Sequence, residues 1–250
     1  MTSLLAEETT ENGVETSRSQ LRGRMSTGCE ALDEVLLGGY PENYAVLLSS
    51  PACDERDLLL RRFLERDADS GITIYLTRDP RCGVDLAANN GESFYIVASE
   101  DYSRVPKGAN IIAVPRCDDL CSLSIAVSSL LRRAEPGLRG PRKLVIDLIS
   151  DVLMCRGAVV ARTWLWEIIM RAKARGFTIV GVLNPRMHPS RDVEALVELF
   201  DGHISIEERE SDGGLKRLAR VRKMYACGYS DRPVELDRLD LERPLRPHPR

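Results

Sequence analysis

The sequence predicts an α/β protein built on a mainly parallel sheet with helices on both faces. Short, wholly or almost wholly apolar runs recur along the chain: Tyr44–Ser49 (YAVLLS), Ile72–Thr77 (ITIYLT), Leu144–Ile149 (LVIDLI) and Thr178–Leu183 (TIVGVL). Runs of this length and kind suit strands buried on both faces. Between them, apolar residues fall at three- and four-residue spacing, as amphipathic helices require. Strands alternating with helices place the crossovers on the sheet faces and make the strands parallel.

In chain order, Ser26-Thr27 opens a short helix carrying Leu32, Val35 and Leu36, closed by Gly38-Gly39. Strand 44–49 follows, then a helix whose apolar face is Leu58, Leu59, Phe63 and Leu64. After strand 72–77, Phe94–Ala98 and Asn110–Val114 are further strand candidates. Asp118-Asp119 caps a helix with a buried stripe of Leu123, Ala126, Val127 and Leu130. Strand 144–149 carries one carboxylate, Asp147, inside its apolar run. A long helix over about 158–175, with Val160, Trp164 and Ile168 on one face, ends at Gly176. Strand 178–183 leads to a helix bearing Val193, Leu196, Val197 and Phe200. The remainder changes character. His203–Glu208 and Leu215–Tyr225 flank a Gly-rich turn and read as an antiparallel hairpin at one sheet edge, and Val234–Leu239 is a candidate last strand.

The bulk properties agree with one domain over residues 21–240, flanked by polar or proline-rich tails at 1–20 and 241–250. A net charge of -3 gives no footprint for nucleic acid or an anionic membrane. No apolar run reaches the roughly 18 residues of a membrane span, and the first residues lack a signal-peptide core. The seven cysteines, at 29, 53, 82, 117, 121, 155 and 227, suggest reduced thiols in the cytoplasm. Cys117 and Cys121 have helical spacing but no second pair or histidine beside them, so no zinc site is expected.

The stretch Ser26–Leu64 (STGCEALDEVLLGGYPENYAVLLSSPACDERDLLLRRFL) resembles the opening of KaiC-type members of the RecA superfamily. Leu144–Ser150 (LVIDLIS) resembles their Walker B strand, and Asn184–Ile206 (NPRMHPSRDVEALVELFDGHISI) a segment of archaeal KaiC-like sequences. The resemblance covers roughly 24–239 and implies a RecA-like P-loop NTPase core. In that family the loop after the first buried strand cradles phosphates with glycine backbone, a Lys and a Ser/Thr that holds magnesium. Here Ser50 stands at the first glycine and Pro51 matches the usual proline. Cys53 and Glu55 replace the other glycines, Arg56 the Lys, and Asp57 the magnesium-binding Thr.

Non-glycine residues at left-handed positions would be strained and would obstruct phosphate. Asp54, Glu55 and Asp57 would suit the helix dipole and repel a polyphosphate. Asp147 matches the magnesium-associated carboxylate, with a strand-end capping role as its alternative. Asp79 and Pro80 stand where paired catalytic glutamates often occur. His188 reads as a loop residue. Lys223-Met224 resemble a strand that in KaiC-type hexamers reaches a neighbour's nucleotide, but Tyr225 stands at its Arg, so no intersubunit arginine finger is expected.

The expected site is therefore a vestigial nucleotide site of Ser50, Pro51, Ala52, Cys53, Asp54, Glu55, Arg56, Asp57, Asp79 and Asp147, with no catalytic residue, no metal and no working ATP or magnesium. The expected role is a cytoplasmic pseudo-ATPase acting as regulator or scaffold in signalling, through a protein partner or self-association. Three alternatives stay open: residual ATP binding, a DNA-associated recombinase paralogue using the Arg-rich strand Lys216–Lys223, and unrelated enzyme chemistry, for which no Ser/His/Asp order or metal spacing speaks.

Overall fold

The computed structural model describes residues 23–66, 71–79, 92–133, 140–211 and 214–243. Two short strands, β1 (Arg24–Met25) and β2 (Tyr40–Pro41), pair antiparallel around helix α1 (Glu30–Val35). Then come β3 (Ala45–Ser49), α2 (Asp54–Glu65), β4 (Ile72–Thr77), β5 (Glu92–Ala98), β6 (Ile111–Val114) and α3 (Leu120–Arg133). The second half runs β7 (Arg142–Ile146), α4 (Ile149–Lys173), β8 (Thr178–Leu183) and α5 (Ser190–Val197). It ends with the hairpin β9 (Gly202–Ser211) and β10 (Gly214–Met224), β11 (Val234–Glu235) and α6 (Arg238–Glu242).

Nine strands form one sheet in the order β11-β10-β9-β3-β8-β7-β4-β5-β6. From β9 to β6 every pairing is parallel, while β10 and β11 extend that edge antiparallel. This is the parallel sheet with a terminal hairpin that the pattern predicts.

Because side chains alternate along a strand, each run feeds two cores. Ala45, Leu47, Leu144, Ile146 and Ile179 point to a layer completed by Leu123, Trp164, Leu165, Leu196 and Phe200 of the α3–α5 side. Val46, Leu48, Val145, Val180 and Val182 point to the opposite layer, with Leu32, Val35, Leu59 and Phe63 of α1 and α2. At Gly181 a side chain would meet Ile149 Cδ1 at 2.7 Å and Phe200 at 2.8 Å. Its absence lets α4 begin directly against the sheet, just past Asp147.

Several boundaries differ from the sequence reading. Helix α1 begins at Glu30, not at Ser26-Thr27; Asp33 instead reaches back to Ser26 Oγ at 2.5 Å and Thr27 N at 2.8 Å. The strand read as 144–149 ends at Ile146, and the helix after it starts at Ile149, not near 158. Within α4, Gly157 leaves helical geometry (φ 75°, ψ 168°), so 149–156 and 158–173 are two helical segments end to end. Val234–Leu239 is a strand only at Val234–Glu235, because Asp237 accepts a hydrogen bond from Leu239 N and starts α6. Leu241, read as part of a tail, is buried, so packed chain continues past 240.

Candidate functional site

β3, β8, β7 and β4 lie side by side and end at the same edge of the sheet. One more main-chain bond follows each of two pairings, Ser50 N to Leu183 O at 2.9 Å and Asp147 N to Leu76 O at 2.9 Å. The carboxyl ends of adjacent parallel strands are where open α/β sheets bind ligands. A cleft of about 810 Å³ opens there. Ala52, Arg56, Asp79 and Asp147 line it, so four of the expected site residues meet at one place. Ser50 and Pro51 are buried behind it. Pro80 lies outside the described residues.

The loop at 50–53 departs from one expectation. None of residues 50–57 has a positive φ; among the described residues the non-glycine positions that do are Leu37, Asn43 and Ala226. With glycines absent, the chain does not enter the strained conformation; Cys53 is extended (φ -156°, ψ 155°) and α2 starts immediately after it. The loop is relaxed, without the left-handed turns that aim successive N–H groups at an anion.

The charges of the loop are also tied down. Arg56 donates from Nε to Asp57 Oδ1 at 2.8 Å, with Nη2 at 2.6 Å from the same oxygen. Burial opposes the guanidinium's charge, but Asp57 and the field of Asp147 outweigh it and hold its pKa above normal. Asp54 pairs with Arg238 of α6 at 2.7 Å. Glu55 lies 3.9 Å from Arg217 of β10, which also holds Glu208 at 2.9 Å. Arg62, further along α2, donates to the carbonyls of Gly28, Asp240, Leu241 and Arg243. It thereby clamps the carboxyl end of α6, where a cation is favoured.

Asp147 is different. Its Oδ2 accepts a hydrogen bond from Tyr75 Oη at 3.2 Å. Burial lifts its pKa to about 6, Asp57 and Asp151 push the same way, and Arg56 and Tyr75 only partly offset them. Beside it, Arg78 pairs with Asp151, and Ser150 Oγ accepts from Asn184 N at 2.9 Å. At the base of the loop, Ser49 Oγ sits 2.7 Å from His203 Nε2. Burial, reinforced by Arg222 and Lys223, pushes that histidine down to about 4, leaving it neutral near pH 7.

Arg78, Asp151, Ser150, Asn184 and His203 were missed by sequence reasoning. Asp151 had a usable signal, lying only four residues after Asp147 in sequence. Asp119 caps α3 as expected, accepting from Ser122 N at 3.0 Å. His188 is partly buried beside the short turn Pro185–Met187. Among the described residues no cluster of three metal-ligating side chains occurs, and no helix is long and apolar enough to cross a membrane. On the hairpin, Lys216 pairs with Glu235, Arg217 with Glu208 and Arg222 with Glu207, so much of the basic strand is neutralised locally.

A strand–loop–helix at the carboxyl edge of a parallel sheet, with a carboxylate two strands away, is the arrangement of a RecA-type fold. No family model matches the chain. Among solved structures it is similar to the crystal structure of the KaiC-like protein PH0186 from Pyrococcus horikoshii OT3. The TM-score is 0.62 at 17% identity, over 86% of this chain and 94% of that one. It is also 28% identical, over 223 residues, to the UPF0273 protein PAE3143 of Pyrobaculum aerophilum, covering 83% of this chain and 76% of that protein. The chain thus has the KaiC-like, RecA-type fold that its sequence resemblance implied.

Proposed function

We propose that this KaiC-like domain is a pseudo-ATPase that serves as a regulator or scaffold, engaging a protein partner or a second copy through the fold it retains. The observation that carries this reading is the Arg56–Asp57 ion pair at 2.6 Å, set in a loop with no left-handed residue. The cation nearest to a lysine's place is already satisfied, and by the residue standing where a magnesium-binding threonine would be.

The residues at the loop do not suit magnesium ATP. Asp54, Glu55 and Asp57 occupy the first turn of α2 and complement its dipole in place of a phosphate. Pulling Arg56 away from Asp57 would leave that carboxylate facing the phosphates, and each like-charge contact near the surface costs on the order of 1 kcal/mol or more. Nucleic-acid binding is disfavoured by the same logic, since Lys216, Arg217 and Arg222 already have acidic partners.

Titration of the purified protein with fluorescent ATP and magnesium tests the proposal. The expected result is no saturable binding into the high micromolar range. Saturable micromolar binding would overturn it in favour of a residual nucleotide binder.

A further inference from the structure

A second cleft, of about 630 Å³, adjoins the first across Arg78, Arg104, Asp151 and Met187. Two cysteines that are 38 positions apart in sequence line it: Cys117, after β6, and Cys155, at the end of the first helical segment of α4. Both side chains face this one cleft, and the residue after each cysteine joins the other segment, Arg156 to the Asp118 carbonyl. Cys117 is half-buried and Cys155 exposed, and both are free thiols. The residues next to them hold the two segments in register. Arg156 donates from Nε and Nη2 to the Asp118 carbonyl at 3.1 and 2.8 Å, and Arg116 donates to the Asp118 carboxylate at 2.8 Å. Cys155 is one helical turn beyond Asp151, the residue that pairs with Arg78 on the wall shared by both clefts.

We propose that Cys117 and Cys155 are a redox pair that closes to a reversible disulfide on exposure to small-molecule disulfides, clamping the first segment of α4 to the β6–α3 connection beside the Asp147 cleft. The exposed Cys155, as thiolate, attacks one sulfur of RSSR and expels RS⁻. Cys117, as thiolate, then attacks Cys155 Sγ in the mixed disulfide and expels the second RS⁻. The two protons given up by the cysteines end on the two released thiols. The protein pair is oxidised by two electrons and RSSR is reduced to two RSH.

The order of attack follows from access and from burial, which pushes the Cys117 thiol up, with Asp151 and Cys155 adding to the effect. Closure needs the sulfurs to reach about 2.05 Å and the Cα atoms to lie within about 4.4–6.8 Å. The helical break at Gly157 lies two residues past Cys155 and limits the helical segment that carries this cysteine to 149–156. Cys121, one turn along from Cys117, is exposed but is not part of this cleft. The inference is independent of whether any nucleotide binds.

The test is to incubate the native full-length chain with oxidised glutathione, block free thiols, and map the peptides by mass spectrometry. The expected product is a Cys117–Cys155 cross-linked peptide pair, about 2 Da lighter than the two free peptides and restored by dithiothreitol. Cys121→Ser should leave this product unchanged, and Cys117→Ser should stop the reaction at a mixed disulfide on Cys155. A native protein in which these two cysteines stay free, stop at separate glutathione adducts or link to other partners overturns the proposal. Because the wild-type map alone decides between these results, a variant that fails to fold does not blunt the test.

Discussion

Asp57 and Asp147 lie at the same edge of the sheet, one at the start of α2 and the other just past β7, and the protein treats them in opposite ways. Asp57 is exposed and carries a close ion pair with Arg56. Asp147 is half-buried, accepts a hydrogen bond from a tyrosine, and is pushed to a pKa of about 6. In the loop around Asp57 each charge has a nearby partner, whereas the cleft floor around Asp147 keeps a carboxylate without ion-pair support among the described residues. On the reading proposed above, a site whose two halves are settled so differently does not act as one phosphate-and-metal cradle, in which loop cation and floor carboxylate serve the same ligand.

The largest effect is expected from undoing the rewiring. Combining Cys53→Gly, Glu55→Gly, Arg56→Lys and Asp57→Thr removes the ion pair and supplies backbone freedom, a compact ammonium and a hydroxyl. If the loop is the obstacle, magnesium ATP should bind at least about tenfold more tightly than to the natural chain, a change of roughly 1.4 kcal/mol, read by the same fluorescent titration. A folded variant that binds no better would place the obstacle outside these four positions, at Ser50 or the Asp147 floor.

A smaller effect probes the floor. A carboxyl whose folded pKa is about 6, against 3.8 in the unfolded chain, holds its proton more tightly when folded. The contribution of Asp147 to stability should therefore fall as pH rises from about 4 to about 6 and stay reduced above that. Asp147→Asn should be more stable than wild type by on the order of 1–3 kcal/mol at pH 8, with the difference gone by about pH 4. His203 runs the other way. Its folded pKa of about 4 lies below the usual 6.5, so stability is lost as pH falls through that interval. The two groups oppose each other in wild type, and the Asn variant should reveal the acid-side loss that Asp147 masks. Urea unfolding from pH 4 to pH 8 measures both curves; a constant difference across that range would contradict the assignment.

Much of this arrangement was legible in the sequence, for a physical reason. Strands buried on both faces leave unbroken apolar runs, and YAVLLS, ITIYLT and TIVGVL all lie in the sheet essentially where they were read. The same signal misled at LVIDLI, whose final Ile149 is buried as the first residue of a helix; an apolar run records burial without recording which element provides it. Segment 149–156 (ISDVLMCR) is too short and mixed to announce a helix before the break at Gly157. Asp147 was legible as the one carboxylate inside an apolar run, and its role and that of Arg56 came from the ungapped resemblance to KaiC-type sequences. Their surroundings were not, because Arg217 and Arg238 reach the loop from more than 160 positions away, and no local pattern encodes such a pairing. The expected backbone strain failed for a related reason: without glycine the loop took another conformation instead of the strained one.

The smallest effect tests how far the rewiring is structural. Arg238 and Asp54 pair at 2.7 Å with side chains 57% and 67% exposed, and Arg238 also bonds Glu242. Pairs this exposed typically contribute about 0–1 kcal/mol and are screened by salt. Arg238→Ala should lower the melting temperature by no more than about 2 °C, with the loss largely gone at about 0.5 M salt. Such a result would leave α2's own dipole as the main support of Asp54. A loss several times larger, insensitive to salt, would mean that Asp54 serves as the anchor of α6. The acidic loop would then owe its charge to a packing role at the carboxyl end of the chain, beyond the mere absence of a ligand.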